Sequence, residues 1–407
     1  MKRVFPLVAV IVSLAALLGF LLVAFAFRPA VVFAQARLTL DYTAMARRIV
    51  MQLALKPGEK VLSIAQAGVM ADLLPHLRYE VMRAGGIDLG VVEILPEPVP
   101  DAFDAVVLAK GAREARAHYK AMFREVDAAV MMPGATPAHP AYAAMQDWLK
   151  DDLTDHHGRR AVHFHWVENG SAYPIAGQPV PIRSAIDALY QNALLKTDYN
   201  ALRAAQRRFV AALHEGDVHI TSPAGTDLRF RAGSRPVNVQ DGDASQARAA
   251  TGVVLIDKEI ELPAGAIRVA PVEESVEGVI AFPPSQWDGR PVEGLKLRFS
   301  KGRVVDVTAS SGRDAVEAEM QKAGDAGRAF REFALGFNPL LAVPDRSPWI
   351  PYYGYGSGVV RLSLGDNSEL GGAVVSAGSG PAYVRWNFFT DLTVTIGGTT
   401  WVRGGKM

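Results

Sequence analysis

The sequence contains no cysteine and carries almost no net charge. Without thiols, this 407-residue chain cannot use a disulfide scaffold, a thiolate zinc site, an iron–sulfur cluster or a cysteine nucleophile. Its 43 Lys and Arg residues nearly balance its 42 Asp and Glu residues, so no overall positive field favours nucleic acid. We therefore expect no nucleic-acid partner, and any metal must be held by His, Asp, Glu, Tyr or backbone oxygen.

Histidine is also scarce in one half of the chain. The sequence has nine His residues, and the last of them is His219. Residues 220–407 therefore contain no imidazole. Any metal site built within that stretch would depend on oxygen ligands alone.

The first half of the body has the alternation typical of an α/β domain, but it lacks a glycine-rich nucleotide loop. Apolar spacing predicts helices and short buried strands in turn, which favours a doubly wound parallel sheet over residues 37–205. No GxGxxG motif follows the first strand, so a dinucleotide site is not indicated. The predicted helices are Asp41–Leu55, Val69–Arg83 and Ala112–Arg124, and the predicted strands are Val61–Ala65, Leu89–Leu95 and Ala128–Met132.

The second half, residues 206–407, is rich in β-type segments and shows no internal repeat. A long, nearly continuous helix from Ala185 to His214 is predicted to join the halves, and one further helix is predicted from Arg313 to Phe333. Gly and Pro residues separate the short apolar runs in the remainder of this half. The runs predicted as strands are Val218–Thr221, Asp227–Phe230, Gly252–Ile256, Gly278–Phe282, Leu295–Phe299, Arg303–Ala309, Val359–Leu364, Val384–Phe389 and Leu392–Ile396.

The N-terminal segment determines the expected compartment. Val4 to Phe27 is a run of 24 uncharged residues, long enough for a helix to cross a hydrocarbon core of about 30 Å. Lys2 and Arg3 precede it, which places the N-terminus inside and the body outside the cytoplasm. The alternative is a signal peptide cleaved after Ala36. We favour a retained anchor within residues 1–36 and a periplasmic body; cleavage would make the protein secreted.

An ordered series of short motifs resembles one family. In this order the motifs resemble the metal-dependent aminopeptidases of the aminopeptidase T, S and II family, the thermophilic leucyl aminopeptidase type, over roughly residues 185–400. The motifs are Gly225-Thr226-Asp227-Leu228, then Pro263-Ala264-Gly265 and Val269-Ala270-Pro271-Val272-Glu273 leading into Glu277-Gly278, then a strand, a Gly-Arg turn and a second strand from Leu295 to Ala309, then Glu332-Phe333-Ala334-Leu335-Gly336-Phe337-Asn338-Pro339, Arg361-Leu362-Ser363-Leu364-Gly365-Asp366-Asn367 and Arg385-Trp386-Asn387-Phe388-Phe389-Thr390-Asp391.

The resemblance implies an α/β N-terminal domain followed by a β-rich C-terminal domain of the aminopeptidase T type, and commonly a homodimer. It also implies a two-metal site that removes N-terminal amino acids from peptides. Two adjacent metal ions would activate a water molecule and polarise the scissile carbonyl. We therefore expect an α/β plus α+β fold preceded by one transmembrane helix.

The residues at the family's ligand positions do not suit metals. The resemblance places former metal-site positions at Ala266, Glu332, Arg361, Arg385 and Asn387, and among these only Glu332 keeps the family's residue. The segment that normally supplies a Tyr ligand reads Asn-Ser-Glu at positions 367–369. Arginine stays protonated and offers no lone pair, so two guanidiniums would repel divalent cations. The same substitutions remove the iron ligands of relatives that cleave dihydroxypyridine rings.

The expected function follows from these substitutions. We expect no resident metal or other cofactor, no catalytic residues, and a binding or structural role for a membrane-anchored homologue, in contact with a protein partner or a membrane complex. The alternative is an active metal-dependent aminopeptidase with unusual ligands. If Arg361 and Arg385 enter the former pocket, they need carboxylate partners. Candidates are Glu332, Asp366 and Asp391, which would give a salt-bridged core or a pocket for a carboxylate or phosphate ligand.

Two other clusters have competing interpretations. His163 and His165 would share one face of a strand, and with Asp155 they could form a surface metal site. We favour a polar loop that enters a strand, because the spacing matches no dedicated zinc motif. The tyrosine-rich run from Tyr352 to Gly356 is either a stacking surface or a glycine-rich connection.

Overall fold

The computed structural model describes residues 39–95, 99–377 and 382–407. From Leu40 onward the chain forms one compact unit. The predicted anchor from Val4 to Phe27 and the predicted cleavage point after Ala36 lie outside the described residues. Within the described ranges, no helix combines the length and the apolar character needed to cross a bilayer.

Several helices begin where a side chain satisfies the free N–H groups of the first turn. Carboxylates of Asp41, Asp104 and Asp198 accept hydrogen bonds from N–H groups at the start of three of them. In chain order the helices are α1 (Tyr42–Leu53), α2 (Leu73–Arg83), α3 (Ala105–Phe123), α4 (Pro140–Asp155), α5 (Arg183–Lys196), α6 (Tyr199–Glu215), α7 (Gln246–Ala250) and α8 (Arg313–Lys322).

The strands are short, and most of them lie in the second half of the chain. In chain order they are β1 (Lys60–Gln66), β2 (Ile87–Ile94), β3 (Ala128–Met131), β4 (Arg160–Phe164), β5 (Tyr173–Pro174), β6 (Val218–Thr221), β7 (Asp227–Phe230), β8 (Val237–Val239), β9 (Glu259–Leu262), β10 (Ala266–Val269), β11 (Glu277–Ala281), β12 (Ser285–Trp287), β13 (Arg290–Val292), β14 (Lys296–Ser300), β15 (Arg303–Thr308), β16 (Phe330–Gly336), β17 (Trp349–Ile350), β18 (Val360–Gly365), β19 (Val384–Phe389), β20 (Thr393–Ile396) and β21 (Thr399–Val402).

The first sheet is parallel, with strand order β2-β1-β3-β4-β9. Its strands bury side chains on both faces, as the alternation along β1 shows. Val61 packs into one hydrophobic core and Leu62 into another. Helix α1 contributes to the first core, and α4 contributes to the second. The predicted parallel α/β sheet is therefore confirmed.

Two antiparallel sheets form the β-rich region. One has strand order β19-β18-β16-β10-β8, and the larger one has order β15-β14-β11-β7-β6-β20-β21. Strand β9 belongs to the parallel sheet although it lies in the second half of the sequence, and only residues 263–265 separate it from β10 in the antiparallel sheet. This short connection places the edge of the parallel sheet beside the antiparallel one. The β-rich C-terminal region is confirmed, whereas the domain boundary at residues 205 and 206 stays a prediction.

Three local predictions were wrong. The helix predicted from Arg313 to Phe333 ends at Lys322, because Gly324 has a φ of +62° and residues 330–336 form a strand. That strand is buried along its whole length, so it lacks the polar–apolar alternation that would distinguish it from a helix. The helix predicted from Ala185 to His214 breaks at Thr197, where Asp198 caps a second helix. The run from Gly252 to Ile256 is not a strand, since a 3₁₀ turn begins at Leu255.

Candidate functional site

A buried carboxylate, Glu332, lies at the centre of the antiparallel sheet that contains β16. Its side chain is fully shielded from solvent. Oε1 accepts hydrogen bonds from Arg361 Nε at 2.8 Å and Ser363 Oγ at 3.1 Å. Oε2 accepts from Arg268 Nε at 3.1 Å and Nη2 at 2.9 Å. Both oxygens are thus engaged, which is the condition under which a carboxylate can be buried in ionised form.

Further guanidinium and carboxylate groups extend this arrangement. Arg268 Nη2 also donates to Glu369 Oε1 at 2.9 Å, and Arg331 forms a salt bridge with the same oxygen. The Nε atom of Arg331 lies 3.9 Å from Glu332 Oε2. We call Arg268, Arg331, Arg361, Glu332 and Glu369 the arginine–glutamate cluster. It contains one more guanidinium than carboxylate.

The cluster determines the ionisation of its carboxylates. Burial alone would raise the pKa of Glu332, but the positive charges of Arg268, Arg361 and Arg331 outweigh it and hold that pKa well below its usual range. Burial likewise opposes ionisation of Glu369, and Arg331 and Arg268 lower its pKa. Both carboxylates are therefore charged at neutral pH.

The structure brings together only part of the predicted set of site residues. Glu332 and Arg361 are in direct contact, as expected. Arg385 instead donates to Glu319 Oε1 at 2.7 Å, and its Cζ lies 3.4 Å from the centroid of the Trp287 ring. The amide of Asn387 donates to the backbone oxygen of Leu362 at 3.1 Å.

The other predicted positions have structural contacts of their own. Ala266 begins β10, and its backbone oxygen accepts from Gln206. The candidate partner Asp366 accepts from Ser368 N at 2.9 Å and from Ser376 N at 2.6 Å, so it organises a turn. The candidate partner Asp391 is exposed.

A cavity of about 280 Å³ lies next to the cluster, where β4 and β9 meet the antiparallel sheet. Arg268, Arg361 and Glu369 line it on the cluster side. Glu259 and Glu261 from β9 face it from the edge of the parallel sheet. The cavity therefore joins both parts of the fold.

One wall of the cavity is a continuous series of rings. Centroid distances are 5.3 Å between Tyr142 and His163, 5.3 Å between His163 and His165, 5.4 Å between His165 and Tyr353, and 5.2 Å between Tyr353 and Trp386. Each contact has the edge-to-face geometry that aromatic pairs favour. Trp386 is 40% exposed and lies at the outer end of the series.

His163, His165 and Tyr353, which belong to the two clusters noted in the sequence, line this wall. Tyr352, Tyr353 and Tyr355 are buried, which favours a connection between strands over an exposed stacking surface. His163 is buried at the end of β4, while Asp155 is exposed at the end of α4. They do not meet in a surface metal site.

The cavity has unusual electrostatics because several titratable groups are hidden from water. Burial, followed by the charges of Glu369 and Glu261, raises the pKa of Glu259 to about 8. Burial lowers the pKa of His163 well below its usual range, and the proximity of His165 adds to this effect. At pH 7, Glu259 is therefore a neutral acid and His163 a neutral imidazole.

Sequence reasoning missed several members of this site. Arg268 and Arg331 are charged residues within otherwise apolar buried strands, and buried charges are nearly always paired. That pattern could have identified them. Glu369 and Glu259 carry no comparable signal, because their roles depend on how the two sheets meet.

Comparisons with known proteins agree with the resemblance predicted from the motifs. Residues 192–340 match the family model described as thermophilic metalloprotease (M29). AmpT from Thermus thermophilus has 16% sequence identity and a TM-score of 0.55, with 90% of this chain and 98% of that chain covered. The resemblance to the M29 aminopeptidases is thereby confirmed.

A second solved structure has the same fold. The 2,5-dihydroxypyridine dioxygenase from Pseudomonas putida KT2440 has 15% identity and a TM-score of 0.60, with 90% of this chain and 96% of that chain covered. No curated protein sequence matches the chain. At these identities the structural likeness establishes a shared fold.

The residues at the motif positions do not fit a metal centre of the family type. Both oxygens of Glu332 accept hydrogen bonds from guanidiniums. Ala266 offers only a methyl group, and the amide of Asn387 is turned to the backbone. In the described ranges, no three His, Asp or Glu side chains are grouped so that they could hold an ion. Of the five positions that the motifs identify, Glu332 and Arg361 belong to the arginine–glutamate cluster.

Proposed function

We propose that this protein is an exported, membrane-anchored relative of the M29 metalloaminopeptidases that binds a ligand or partner without hydrolysing peptides. The proposal combines the N-terminal apolar run from Val4 to Phe27 with the replacement of metal ligands by arginine. The anchor would hold the body outside the cytoplasm, where it would serve as a binding or structural subunit.

The observation that carries the proposal is the state of Glu332. A metal ligand needs a free lone pair directed at the ion, yet both oxygens of Glu332 face guanidinium groups. Bringing a divalent cation to this point would require the displacement of Arg268 and Arg361. Arg361 would then be buried without a carboxylate partner, and Arg268 would keep only Glu369, which is unfavourable.

Metal content and peptidase activity test this proposal directly. The full chain, purified in detergent, is dialysed against zinc or cobalt and analysed for bound metal, and release of leucine from a dipeptide is measured. We expect neither stoichiometric metal nor leucine release. About one or two tightly bound ions per chain together with leucine release would support the alternative, an active aminopeptidase with unusual ligands.

A matched variant makes the experiment sharper. Glu332→Gln removes the carboxylate charge with little change in volume. If the protein is an active metalloenzyme, this variant loses metal and leucine release together. Under our proposal both values stay at background in wild type and variant, and only the stability of the fold changes.

The membrane location needs a separate test. After cell fractionation, we expect the full chain in the membrane fraction and resistant to extraction at alkaline pH. N-terminal sequencing then distinguishes a retained anchor from cleavage after Ala36. Recovery of the intact chain from the soluble cytoplasmic fraction would contradict the proposal. Native mass measurement of the detergent extract reports whether the chain is a homodimer or co-purifies with a membrane complex.

A further inference from the structure

Three buried polar atoms beside the cavity lack hydrogen-bond partners among the described residues. They are Arg361 Nη2, His163 Nε2 and Glu259 Oε1. The three residues are only 2%, 3% and 9% exposed, respectively. An unsatisfied buried polar atom is costly, and native proteins rarely retain one without reason. All three residues line the same cavity, so a polar ligand bound there is a candidate partner for these atoms.

We propose that this cavity binds a small monocarboxylate whose oxygens accept hydrogen bonds from Arg361 and Glu259 and whose apolar body packs against Tyr353 and Trp386. The inference rests on the proposed function, because it assumes that the arginine–glutamate cluster has replaced metal at this site. It goes further by naming the class of ligand.

The unpaired hydrogen-bond donor of the cavity favours a ligand that carries an acceptor group. Arg361 uses Nε for Glu332 and Nη1 for the backbone oxygen of Tyr353, which leaves Nη2 as a spare donor. In contrast, the ionised carboxylates of Glu332 and Glu369 are already bound by arginines. An anionic ligand satisfies this donor, whereas a cationic ligand finds no unpaired carboxylate in the cluster. Glu261, a further carboxylate of the lining, accepts a hydrogen bond from the Tyr355 hydroxyl. Arg268 and Arg361 are the two guanidiniums of the lining, and the planar donor fork of a guanidinium suits a carboxylate.

Glu259 supplies the second contact in its protonated form. Its pKa of about 8 makes it a hydrogen-bond donor at pH 7. The charged or titratable groups around it are Glu261 on the same strand, Glu369, Lys150, Tyr142 and His163. The Nε2 atom of His163 lies 3.7 Å from Glu259 Oε2. Above pH 8 Glu259 loses its proton, and its negative charge then repels a bound carboxylate. Affinity should therefore be constant from pH 6 to 7 and fall between pH 8 and 9.

The shape of the cavity limits the size of the ligand. Its volume of about 280 Å³ lies near the lower end of the range for small-molecule pockets. The ring series that ends at Trp386 offers an apolar surface for a short aliphatic or aromatic group. Benzoate and isovalerate are suitable probes because each combines one carboxylate with a compact apolar body.

Calorimetric titration of the full chain in detergent tests the proposal. We expect saturable binding of one benzoate or isovalerate per chain at pH 7. Benzamide, which has the same shape without the charge, should bind at least about tenfold more weakly. Inorganic phosphate tests whether any anion suffices, and binding of phosphate without binding of either carboxylate would overturn the proposal. Failure of both carboxylates to bind, or equal affinity for benzoate and benzamide, would also overturn it.

Single substitutions distinguish a loss of ligand binding at the cavity from a general loss of folding. Arg361→Lys keeps the charge but removes the forked donor, so carboxylate affinity should fall at least about tenfold. Glu259→Gln retains a neutral donor, so it should keep binding at pH 7 and abolish the loss of affinity above pH 8. Arg385→Lys is the matched control, because Arg385 lies against Glu319 and Trp287 outside the cavity lining. Equal affinities in wild type and Arg361→Lys, with both folded by thermal unfolding, would contradict the assignment.

The same samples distinguish the failure of this inference from failure of the proposed function. Metal analysis and leucine release are measured on each preparation. Metal-free, inactive protein that binds neither carboxylate refutes only the ligand class. Bound metal with leucine release refutes the proposed function, whatever the titrations show.

Discussion

The Nε atom of Arg361 donates to Oε1 of Glu332 at 2.8 Å, and both side chains are almost completely hidden from solvent. The two residues lie on paired antiparallel strands, where Glu332 is opposite Ser363 and Ala334 is opposite Arg361. The guanidinium therefore reaches diagonally across the ladder to the carboxylate. A buried ion pair of this kind adds little to the stability of the fold compared with an apolar pair of similar volume. Removal of one member is nevertheless costly, because it leaves the other charge buried without a partner.

The first prediction concerns the stability of the cluster. Glu332→Leu removes the carboxylate that Arg268 and Arg361 share, so we expect a loss of about 3–5 kcal/mol in the free energy of unfolding. Denaturant unfolding measures the change. Asp325→Asn is the control, because Asp325 belongs to an exposed pair with Arg303. That control should stay within about 0.5 kcal/mol of wild type, and a similarly small effect at Glu332 would contradict the role assigned to the cluster.

The second prediction concerns stability in acid. The pKa of Glu332 in the folded chain lies below its unfolded value, so the unfolded state binds the proton more readily. The stabilisation is fully present above the ordinary pKa of a glutamate and is lost as the pH falls toward the depressed value. Denaturant unfolding of the wild type between pH 6 and 3 should show a steep loss. Glu332→Gln should be less stable at pH 6 and show a shallower decline, and parallel curves for the two proteins would refute the assignment.

The third prediction concerns Glu259, for which stability should change with pH in the opposite direction. Its folded pKa of about 8 exceeds the ordinary value, so between these two values the unfolded chain has lost a proton that the folded chain retains. Stability should therefore decrease as the pH rises from about 5 to 8. Glu259→Gln removes this linkage, and it should exceed the wild type by more than about 1 kcal/mol at pH 8, with a smaller difference at pH 5.

Unfolding of wild type and Glu259→Gln at pH 5, 7 and 8 checks this expectation. Glu274→Gln, at an exposed position, should follow the wild type at every pH. A variant at position 259 that is less stable than wild type throughout would show that Glu259 is held as an ionised group.

The pairing of Glu332 with Arg361 could be predicted from the sequence because both residues belong to motifs with a recognisable order. The partner of Arg385 could not be predicted in the same way. Glu319 lies on the helix Arg313–Lys322, and the apolar spacing after that helix predicts its continuation to Phe333. Because this prediction places Glu332 in a helix, the sequence does not reveal the sheet that aligns Glu332 with Arg268.

The cavity illustrates a second limit of sequence reasoning. The spacing of His163 and His165 correctly indicated a shared face, and their rings lie 5.3 Å apart. What covers that face is Tyr353, far along the chain, and such a contact depends on the docking of two sheets. Local periodicity cannot report it. Composition, in contrast, limits the metal-ligand chemistry directly, because residues 220–407 contain no imidazole.

The fourth prediction concerns the fully buried pair that connects helix α4 to the turn before β9. Lys258 Nζ donates to Asp152 Oδ2 at 2.7 Å and to the backbone oxygen of Ala249 at 2.9 Å, and neither charged side chain is exposed. Asp152 also accepts from the backbone N–H groups of Gly158 and Arg159. The pair therefore fixes the loop after α4 against the strand that carries Glu259.

Lys258→Met preserves the length of the side chain but leaves the Asp152 charge without its cation, so we expect a loss of about 3–5 kcal/mol in unfolding free energy. Because β9 also lines the cavity, the variant should weaken benzoate binding in titrations carried out where it is folded. Lys322→Met is the control, because Lys322 forms an exposed pair with Asp288. It should change neither the free energy of unfolding nor the benzoate affinity appreciably. If Lys258→Met were as stable as the wild type, the backbone N–H groups alone would be sufficient to satisfy the carboxylate of Asp152.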